Sequence, residues 1–360
     1  MAKVLRGIST SDWHLSGGLA NIFKEKALSK MMFELEKIFK WCIENDVRHM
    51  FMPGDISDKA RLDEETFIAL VTLLLKYDKY ISFYYIPGNH DIAHVGKTSI
   101  DVLKIFAENG GFKNVHIFTK PEVREIDGVQ VGFVPFPYTK LDLEKGSADP
   151  TLIFAHIEEA GAIGDNGLAL KSNHLKLERN KGDFVFSGHL HTFQVLKERR
   201  IVFNGAPYQK TFGEQGKKGF VEFKARYSED GKLQVKHSFV DNRPEFTLIN
   251  LKIEEEADFE KIEQNENMLY KVSLGEGVIA PKGITRDFPN IVMLNGVSYK
   301  GRANVDTGEK MSAADIPKIT PITGLVEYLS KYELSKLEIK EAVRMVKEAI
   351  KIIQNEGLPK

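Results

Sequence analysis

The sequence contains very little cysteine, and this scarcity limits the chemistry that the chain can perform. With Cys42 as the single cysteine among 360 residues, an internal disulfide is excluded, and so is a metal site built from several thiolates. Cys42 lies on the apolar stripe of a helix predicted over residues 23–43, so we expect a buried thiol that packs rather than reacts. Any metal site in this chain must therefore use oxygen and imidazole ligands.

Long apolar runs and a large net charge are missing as well. No apolar run approaches the roughly 20 residues of a membrane helix, and the N-terminus lacks the charged-then-apolar pattern of a secretory signal. We therefore expect a cytoplasmic protein without membrane contact. The formal net charge of −1 argues against a protein that wraps nucleic acid over its whole surface, but local basic patches remain. Candidates for phosphate contact are Lys197, Arg199, Arg200, Lys217 and Lys218.

The sequence does contain a series of apolar runs that each end in Asp, Asn or His. The central run, residues 81–86, is β-branched and aromatic and stops at Pro87-Gly88, as a buried strand does before a turn. It is followed by Asn89, His90 and Asp91. Four similar runs lead to Asp12 and His14, to Asp55, to His156, and to His189 and His191. Open α/β sheets place their chemistry at the carboxyl ends of strands, so we expect these side chains to meet in one pocket.

Each of these motifs is weak when taken alone. A single Asp-x-His is more often a loop or cap, and a single His-x-His more often serves packing. Their joint occurrence at strand ends favours a metal site. Carboxylate, amide and imidazole ligands without sulfur favour Mn²⁺, Fe or Zn²⁺, and Mg²⁺ is less suited to so much imidazole. Of these ions we expect Mn²⁺.

Two divalent ions about 3.5–4 Å apart can activate water and neutralise phosphoryl oxygens, which is what phosphodiester hydrolysis needs. Asp55 is the natural bridging ligand because it follows a central strand and has two oxygens. We expect His90 to face the phosphate, where an imidazole can stabilise charge or protonate the leaving oxygen. Asp58, three residues after Asp55, would orient His90 through a hydrogen bond.

The order of predicted elements indicates a two-sheet core. Strands and helices alternate as far as the hairpin signal Asp127-Gly128, and antiparallel pairing follows. We therefore predict an α/β (α+β) fold, a two-sheet β-sandwich flanked by helices. The core would span residues 1–244, a small α+β module 245–305, and a linker with two C-terminal helices 306–360. The apolar stripe from Ile339 to Ile353 could dock on a partner.

Taken together, the motifs resemble the calcineurin-like metallophosphoesterase superfamily over residues 1 to about 225. The matching segments are Asp12-x-His14, Gly54-Asp55, Gly88-Asn89-His90-Asp91, His156 and Gly188-His189-x-His191. The resemblance implies a β-sandwich of two sheets with two ions. One ion would take Asp12, His14, Asp55 and His191, and the other would take Asp55, Asn89, His156 and His189.

Within this superfamily the chain is similar to the SbcD type, the nuclease subunit of the SbcCD complex, including its shorter phage versions. The similar segments are Asp12-Trp13-His14-Leu15, Val134-Pro135-Phe136, Asn204-Gly205-Ala206-Pro207, Phe212-Gly213-Glu214 and Arg243-Pro244. The resemblance implies a nuclease for DNA repair, recombination or replication. It would act as an exonuclease on double-stranded DNA and an endonuclease on single-stranded DNA. The second module would cap the site or recognise DNA, and the terminal helices would bind an SbcC-like coiled-coil ABC ATPase. Cellular members commonly have His at the position of Asp58. In this respect the chain resembles the phage-type members instead.

Two other functions stay open at this stage. One is hydrolysis of a small phosphodiester or nucleotide, and the other is a non-catalytic scaffold that keeps the fold. The sequence leaves a homodimer open, and a phage-encoded chain would act in the host cytoplasm.

Overall fold

The computed structural model describes residues 3–15, 19–23, 26–92, 98–141, 150–165, 167–171, 176–214 and 216–295. These residues belong to two compact units, of which the first ends at Pro244 and the second begins at Glu245. The linker and helices predicted over 306–360 lie outside the described residues.

The first unit contains two six-stranded sheets. The strands of one sheet are β1 (Leu5–Ser9), β2 (His49–Pro53), β3 (Ser82–Ile86), β4 (Val115–Ile117), β11 (Gly219–Tyr227) and β12 (Leu233–Asp241). They lie in the order β12-β11-β1-β2-β3-β4. β1 to β4 are parallel, whereas β11 and β12 are antiparallel.

The second sheet of this unit is also mixed, but its antiparallel pairs are at both edges. Its strands are β5 (Glu122–Ile126), β6 (Val129–Val134), β7 (Leu152–His156), β8 (Phe184–Gly188), β9 (Gln194–Leu196) and β10 (Ile201–Phe203). They lie in the order β5-β6-β7-β8-β10-β9, with a parallel centre and an antiparallel strand at each edge. The predicted hairpin at Asp127-Gly128 joins β5 to β6.

Aromatic side chains from both sheets fill the space between them. The rings of Phe51 on β2 and Phe154 on β7 are stacked, with centroids 4.0 Å apart. Phe118 and Phe133 stack at 3.9 Å. Stacked rings bury large apolar areas and hold two sheets face to face. The predicted two-sheet sandwich is confirmed.

The described helices of the first unit are α1 (Leu19–Phe23), α2 (Ala27–Glu44), α3 (Glu64–Tyr77) and α4 (Ser99–Glu108). Polar side chains cap the starts of α3 and α4, whereas α2 begins after Lys26 without a side-chain cap. The Asp63 side chain accepts a 2.8 Å hydrogen bond from the Thr66 amide at the start of α3, and Thr98 with Asp101 forms a capping box on α4. The single helix predicted over 23–43 is observed as α2, preceded by the short α1. Phe39 of α2 contacts Phe83 of β3, so the apolar stripe of α2 packs on the sheet.

We expect Cys42 to resist thiol reagents in the folded protein. Its side chain is fully buried on α2, and burial raises the pKa of its thiol to about 12. Since the thiolate is the reacting species, labelling with a chromogenic disulfide should be negligible in native protein and reach one thiol per chain in denaturant. Rapid labelling of native protein would contradict this placement.

The second unit has its own sheet and core. Its strands are β13 (Thr247–Ile253), β14 (Met268–Leu274) and β15 (Ile291–Asn295), which pair in parallel in that order. A 3₁₀ turn (Glu256–Lys261) follows β13, and the one-turn helix α5 (Ile284–Asp287) precedes β15. Among the described residues of both units, none of the helices combines the length and apolar character that a membrane crossing requires.

Candidate metal centre

Loops at the carboxyl ends of five strands bring the predicted ligands together. β1, β2 and β3 supply Asp12, His14, Asp55 and Asn89 from one sheet, and β7 and β8 supply His156, His189 and His191 from the other. The loops after β1 and β2 are joined by backbone hydrogen bonds from Asp12 N to Gly54 O (3.1 Å) and from His14 N to Asp55 O (3.0 Å). The site therefore depends on the sandwich being assembled.

Four of these residues have a left-handed backbone although none is glycine. The φ angles are 58° at Asp12, 47° at His14, 55° at Asp55 and 86° at His189. Such conformations are unfavourable for residues with a Cβ atom and persist where surrounding structure fixes them, often at functional sites. The surrounding structure therefore fixes an unfavourable backbone conformation at these four candidate ligands.

Two glycines let these loops approach one another closely. A Cβ atom on Gly54 would lie 2.2 Å from His156 Nδ1, and one on Gly88 would lie 2.2 Å from Asp55 Oδ1. Both distances are far below contact distance, so a side chain at either position would displace a candidate ligand.

We define the first ligand group as Asp12, His14, Asp55 and His191. Ligand atoms of Asp12, His14 and His191 lie within 4.8 Å of one another. His14 Nε2 is buried without a hydrogen-bond partner and lies 3.5 Å from Asp55 Oδ2. A buried nitrogen without a partner is costly unless something else binds it. This orphaned nitrogen is what a metal ion would satisfy.

We define the second ligand group as Asp55, Asn89, His156 and His189. His156 Nε2 lies 3.4 Å from Asp55 Oδ2 and 2.9 Å from Asn89 Oδ1. Asn89 Oδ1 also lies 3.1 Å from His189 Nδ1. Asp55 Oδ2 is thus the atom that both groups approach, which is the position that a bridging ligand needs.

The buried Asp55 carboxylate needs positive charge beside it, as the pKa shifts in this pocket indicate. Burial by itself raises the pKa of the Asp55 carboxyl, but His156 and His14 outweigh it and hold that pKa well below its usual range. Burial lowers the pKa of His156, yet the Asp55 carboxylate outweighs it and raises that pKa to about 9. A divalent ion would replace the imidazole proton as the counter-charge. With the orphaned His14 nitrogen and a sulfur-free donor set, the residues fit two divalent ions.

Asp58 is hydrogen-bonded to His90 as expected, but through its carbonyl oxygen, and its carboxylate contacts a different histidine. The Asp58 carboxylate lies 3.0 Å from His14 Nδ1, so it orients a candidate ligand rather than His90. His90 Nδ1 instead lies 3.1 Å from the Asp58 carbonyl oxygen, and the His90 amide donates to Asp55 Oδ1 at 2.9 Å. The His90 ring is exposed, with its centroid 4.6 Å from that of His14. A nitrogen of His90 lies close enough to His14 and Asp55 to count among potential ligand atoms.

Asp91 fixes the loops that carry Asp55 and Asn89. Its buried carboxylate accepts hydrogen bonds through Oδ2 from the amides of Asp55 (2.7 Å) and Gly88 (2.8 Å). Oδ1 accepts from the Ser57 amide (2.8 Å) and hydroxyl (2.9 Å). Burial and the Asp55 charge raise the pKa of Asp91. The sequence motif contained Asp91 but gave no indication of this role.

Three further acidic residues orient the histidines. Glu158 Oε1 lies 3.1 Å from His189 Nε2. Asp165 Oδ2 lies 2.7 Å and Glu214 Oε1 lies 3.3 Å from His191 Nδ1. Carboxylates that hold one ring nitrogen leave the other for a metal. Glu158 shares the two-residue spacing of the other motifs with His156, which was a usable signal. Glu214 ends the segment Phe212-Gly213-Glu214 noted in the sequence, whereas the loop of Asp165 offered no signal.

Two lysines lie beside His191. Lys210 is 7% exposed, and its ammonium contacts His191 Nε2. Burial lowers the pKa of Lys210 to about 8, although Asp12 and Glu214 act in the opposite direction. Lys218, which we expected to contact phosphate, is instead buried and donates to Glu214 Oε2 at 2.6 Å and to the His191 carbonyl at 3.0 Å.

Three of the other basic candidates contact residues of the first unit. Arg199 pairs with Glu159, and Lys217 lies 3.6 Å from Asp241 while remaining exposed. Arg200 donates to the carbonyl oxygens of Asp183 and Leu233. Lys197 lies in a 3₁₀ turn (Lys197–Arg199) and is exposed.

Comparisons with individual known proteins show distant similarity to solved structures. No curated protein matches the chain. Two similar solved structures are GAP50, described as the anchor in the inner membrane complex of Plasmodium, and the calcineurin-like phosphoesterase YfkN from Bacillus subtilis. GAP50 is 12% identical with a TM-score of 0.38, over 84% of this chain and 99% of that one. YfkN is 14% identical with a TM-score of 0.40, over 67% of this chain and 92% of that one.

The family assignment rests on a different match, to a model of a whole family. The model of the calcineurin-like phosphoesterases matches residues 8–193, more than half of the chain and a range that contains every candidate ligand. The chain therefore belongs to the calcineurin-like phosphoesterase family and is a hydrolase of phosphoesters that depends on divalent metal ions.

Proposed function

We propose that the chain is a Mn²⁺-dependent DNA nuclease of the SbcD type. It would act as an exonuclease on double-stranded DNA and an endonuclease on single-stranded DNA. The observation that carries the proposal is the pair of ligand groups that share Asp55 Oδ2, with the exposed His90 beside them. This arrangement suits hydrolysis of a diester that approaches from solvent.

The residues divide the reaction between them. Two bound ions would supply an activated water and neutralise the phosphoryl oxygens. Asp55 belongs to both ligand groups. Asp58 orients His14, and Glu214 orients His191. Because His90 Nδ1 faces the Asp58 carbonyl, Nε2 is the nitrogen left for the substrate. When Nε2 carries a proton, His90 can donate this proton to the leaving oxygen or stabilise the negative charge on that oxygen.

Support for the SbcD type comes from segments that surround this site. The Tyr208 hydroxyl donates a 2.5 Å hydrogen bond to the Trp13 carbonyl, and Asn204 Nδ2 donates to Ser11 Oγ at 3.3 Å. Each contact links a residue of one SbcD-like segment, Trp13 or Asn204, to the residue directly beside the other segment. Trp13 is fully buried, so the resemblance there concerns the frame of the site.

We further propose that the chain works with an SbcC-like coiled-coil ABC ATPase. The apolar stripe from Ile339 to Ile353 would be its docking segment, a proposal made on sequence alone because this stripe lies outside the described residues. Co-purification of the full chain with such an ATPase, and loss of it after charge substitutions along the stripe, would test the partnership.

The nuclease proposal is tested with purified full-length chain and Mn²⁺. Substrates are end-labelled linear duplex DNA, circular single-stranded DNA and a chromogenic small diester, and the Asp55→Asn variant serves as the blank. We expect progressive loss of the duplex and nicking of the circle. Intact DNA, both with and without the ATPase, would refute the nuclease. Turnover of the small diester alone would then favour an enzyme for small phosphodiesters or nucleotides.

We expect His90→Ala to lower turnover about 100-fold and to leave Mn²⁺ affinity within about threefold of wild type. The reason is that His90 is exposed beside the ligand groups and makes its backbone contact to Asp55 through an amide that the variant keeps. Diester hydrolysis and a Mn²⁺ titration give the two values. Loss of an ion in this variant would identify His90 as a ligand instead.

A further inference from the structure

Lys210 is a buried cation inside a pocket built for other cations. Its ammonium contacts His191 Nε2. The opposite nitrogen of that ring, Nδ1, is held by Asp165 and Glu214, so Nε2 is the nitrogen that the first ligand group would offer to an ion. The ammonium and the ion therefore seek the same lone pair.

Two of the four carboxylates that act on Lys210 belong to the first ligand group, and the other two hold His191. Asp12 and Asp55 of the first ligand group are electrostatic neighbours of its ammonium, as are Glu214 and Asp165. His14, the remaining member of the group, is also within the electrostatic reach of Lys210. A buried ammonium is stable only when such partners surround it.

The backbone that carries Lys210 is firmly attached to the site. Tyr208, two residues earlier, is fully buried and bonded to the Trp13 carbonyl. The Ala206 amide donates to the His191 carbonyl at 3.1 Å, and Gln209 Nε2 donates to the Glu214 carbonyl at 2.9 Å. These contacts hold the backbone directly before Lys210 near the first ligand group.

We propose that Lys210 is an internal counter-ion of the first ligand group, which neutralises its carboxylates without metal and weakens the binding of the ion there. The second ligand group, where Asn89, His156 and His189 meet Asp55, then binds the tighter ion. Two positive charges a few ångströms apart repel strongly at the effective dielectric of a protein interior. The inference concerns metal binding alone and holds whatever the phosphoester is.

The test is a titration of metal-free protein with Mn²⁺ at neutral pH, in which free Mn²⁺ is measured by its electron paramagnetic resonance signal. Wild type should show one tighter and one weaker ion. In Lys210→Met the weaker dissociation constant should fall about tenfold or more, while the tighter one changes little. The melting temperature of the metal-free variant should fall, because the carboxylates lose their counter-charge.

Lys218→Met is the matched control, since it removes a neighbouring buried lysine of different function. Lys218 holds Glu214, which orients His191, so its loss should weaken Mn²⁺ binding instead of strengthening it. Lys210→Gln removes the same charge as Lys210→Met. It is the variant to use if Lys210→Met does not fold. If the dissociation constant of the weaker ion were unchanged or higher in the Lys210 variants, the proposal would be overturned. Lys210 would then be a structural support of the site or a contact for phosphate.

Discussion

Asp55→Asn is expected to lower phosphoester hydrolysis at least about 1000-fold, which corresponds to roughly 4 kcal/mol of activation free energy. Both ligand groups use Asp55 Oδ2, at 3.5 Å from His14 Nε2 and 3.4 Å from His156 Nε2. An amide keeps the shape of the side chain but loses the negative charge that balances two cations. The expected metal content is therefore one ion or fewer per chain, measured by elemental analysis after dialysis.

Asp183→Asn is a suitable control for this variant. Asp183 is as buried as Asp55, but it precedes β8 and so lies at the opposite end of that strand from His189. We expect it to keep both ions and near-normal turnover. If Asp55→Asn retained two ions and more than a tenth of the activity, the shared carboxylate could not be the bridge.

Asp91→Asn is expected to lower the free energy of unfolding by about 2 kcal/mol and to weaken metal binding as well. Each Asp91 oxygen accepts two hydrogen bonds, from Asp55 and Gly88 on one side and from Ser57 on the other. An amide offers one oxygen and one NH₂ group, so either orientation points hydrogens at amide donors. The loop carrying Asp55 should then move, and Mn²⁺ affinity should fall about tenfold or more.

The control separates loss of stability from loss of the site. Asp183 Oδ1 accepts from the Thr151 amide and Oδ2 from the Asn180 amide, both at 2.8 Å. Asp183→Asn should therefore lose comparable stability in a denaturant titration while Mn²⁺ affinity stays unchanged. Equal metal affinity in the two variants would show that Asp91 supports the fold alone.

Sequence reasoning predicted the gathering of the candidate ligands because a simple rule governs it. Parallel strands put their carboxyl ends at one edge, so a polar residue after each apolar run is brought to that edge. His156 and His189 come from the second sheet, and the same rule applies because that sheet also has a parallel centre.

The partners of these residues followed no such rule. The expected hydrogen bond between Asp58 and His90 is present, but it uses the Asp58 carbonyl oxygen. The Asp58 amide donates to the Leu15 carbonyl, and the Asp58 carboxylate lies beside His14. That register depends on how the loops after β1 and β2 pair. Asp165 and Lys210 likewise reach His191 from loops far away in sequence. Periodicity and spacing carry no information on such contacts.

The origin of the ligands in both sheets links catalysis to folding. Asp12, His14, Asp55 and Asn89 come from one sheet, and His156, His189 and His191 come from the other. Ions bound by both sets of residues would hold the two sheets together. A ligand present at 100 times its dissociation constant adds about 2.7 kcal/mol of stability. Chelation should therefore loosen the whole first unit, and metal supply in the cell would set its lifetime against proteolysis as well as its turnover.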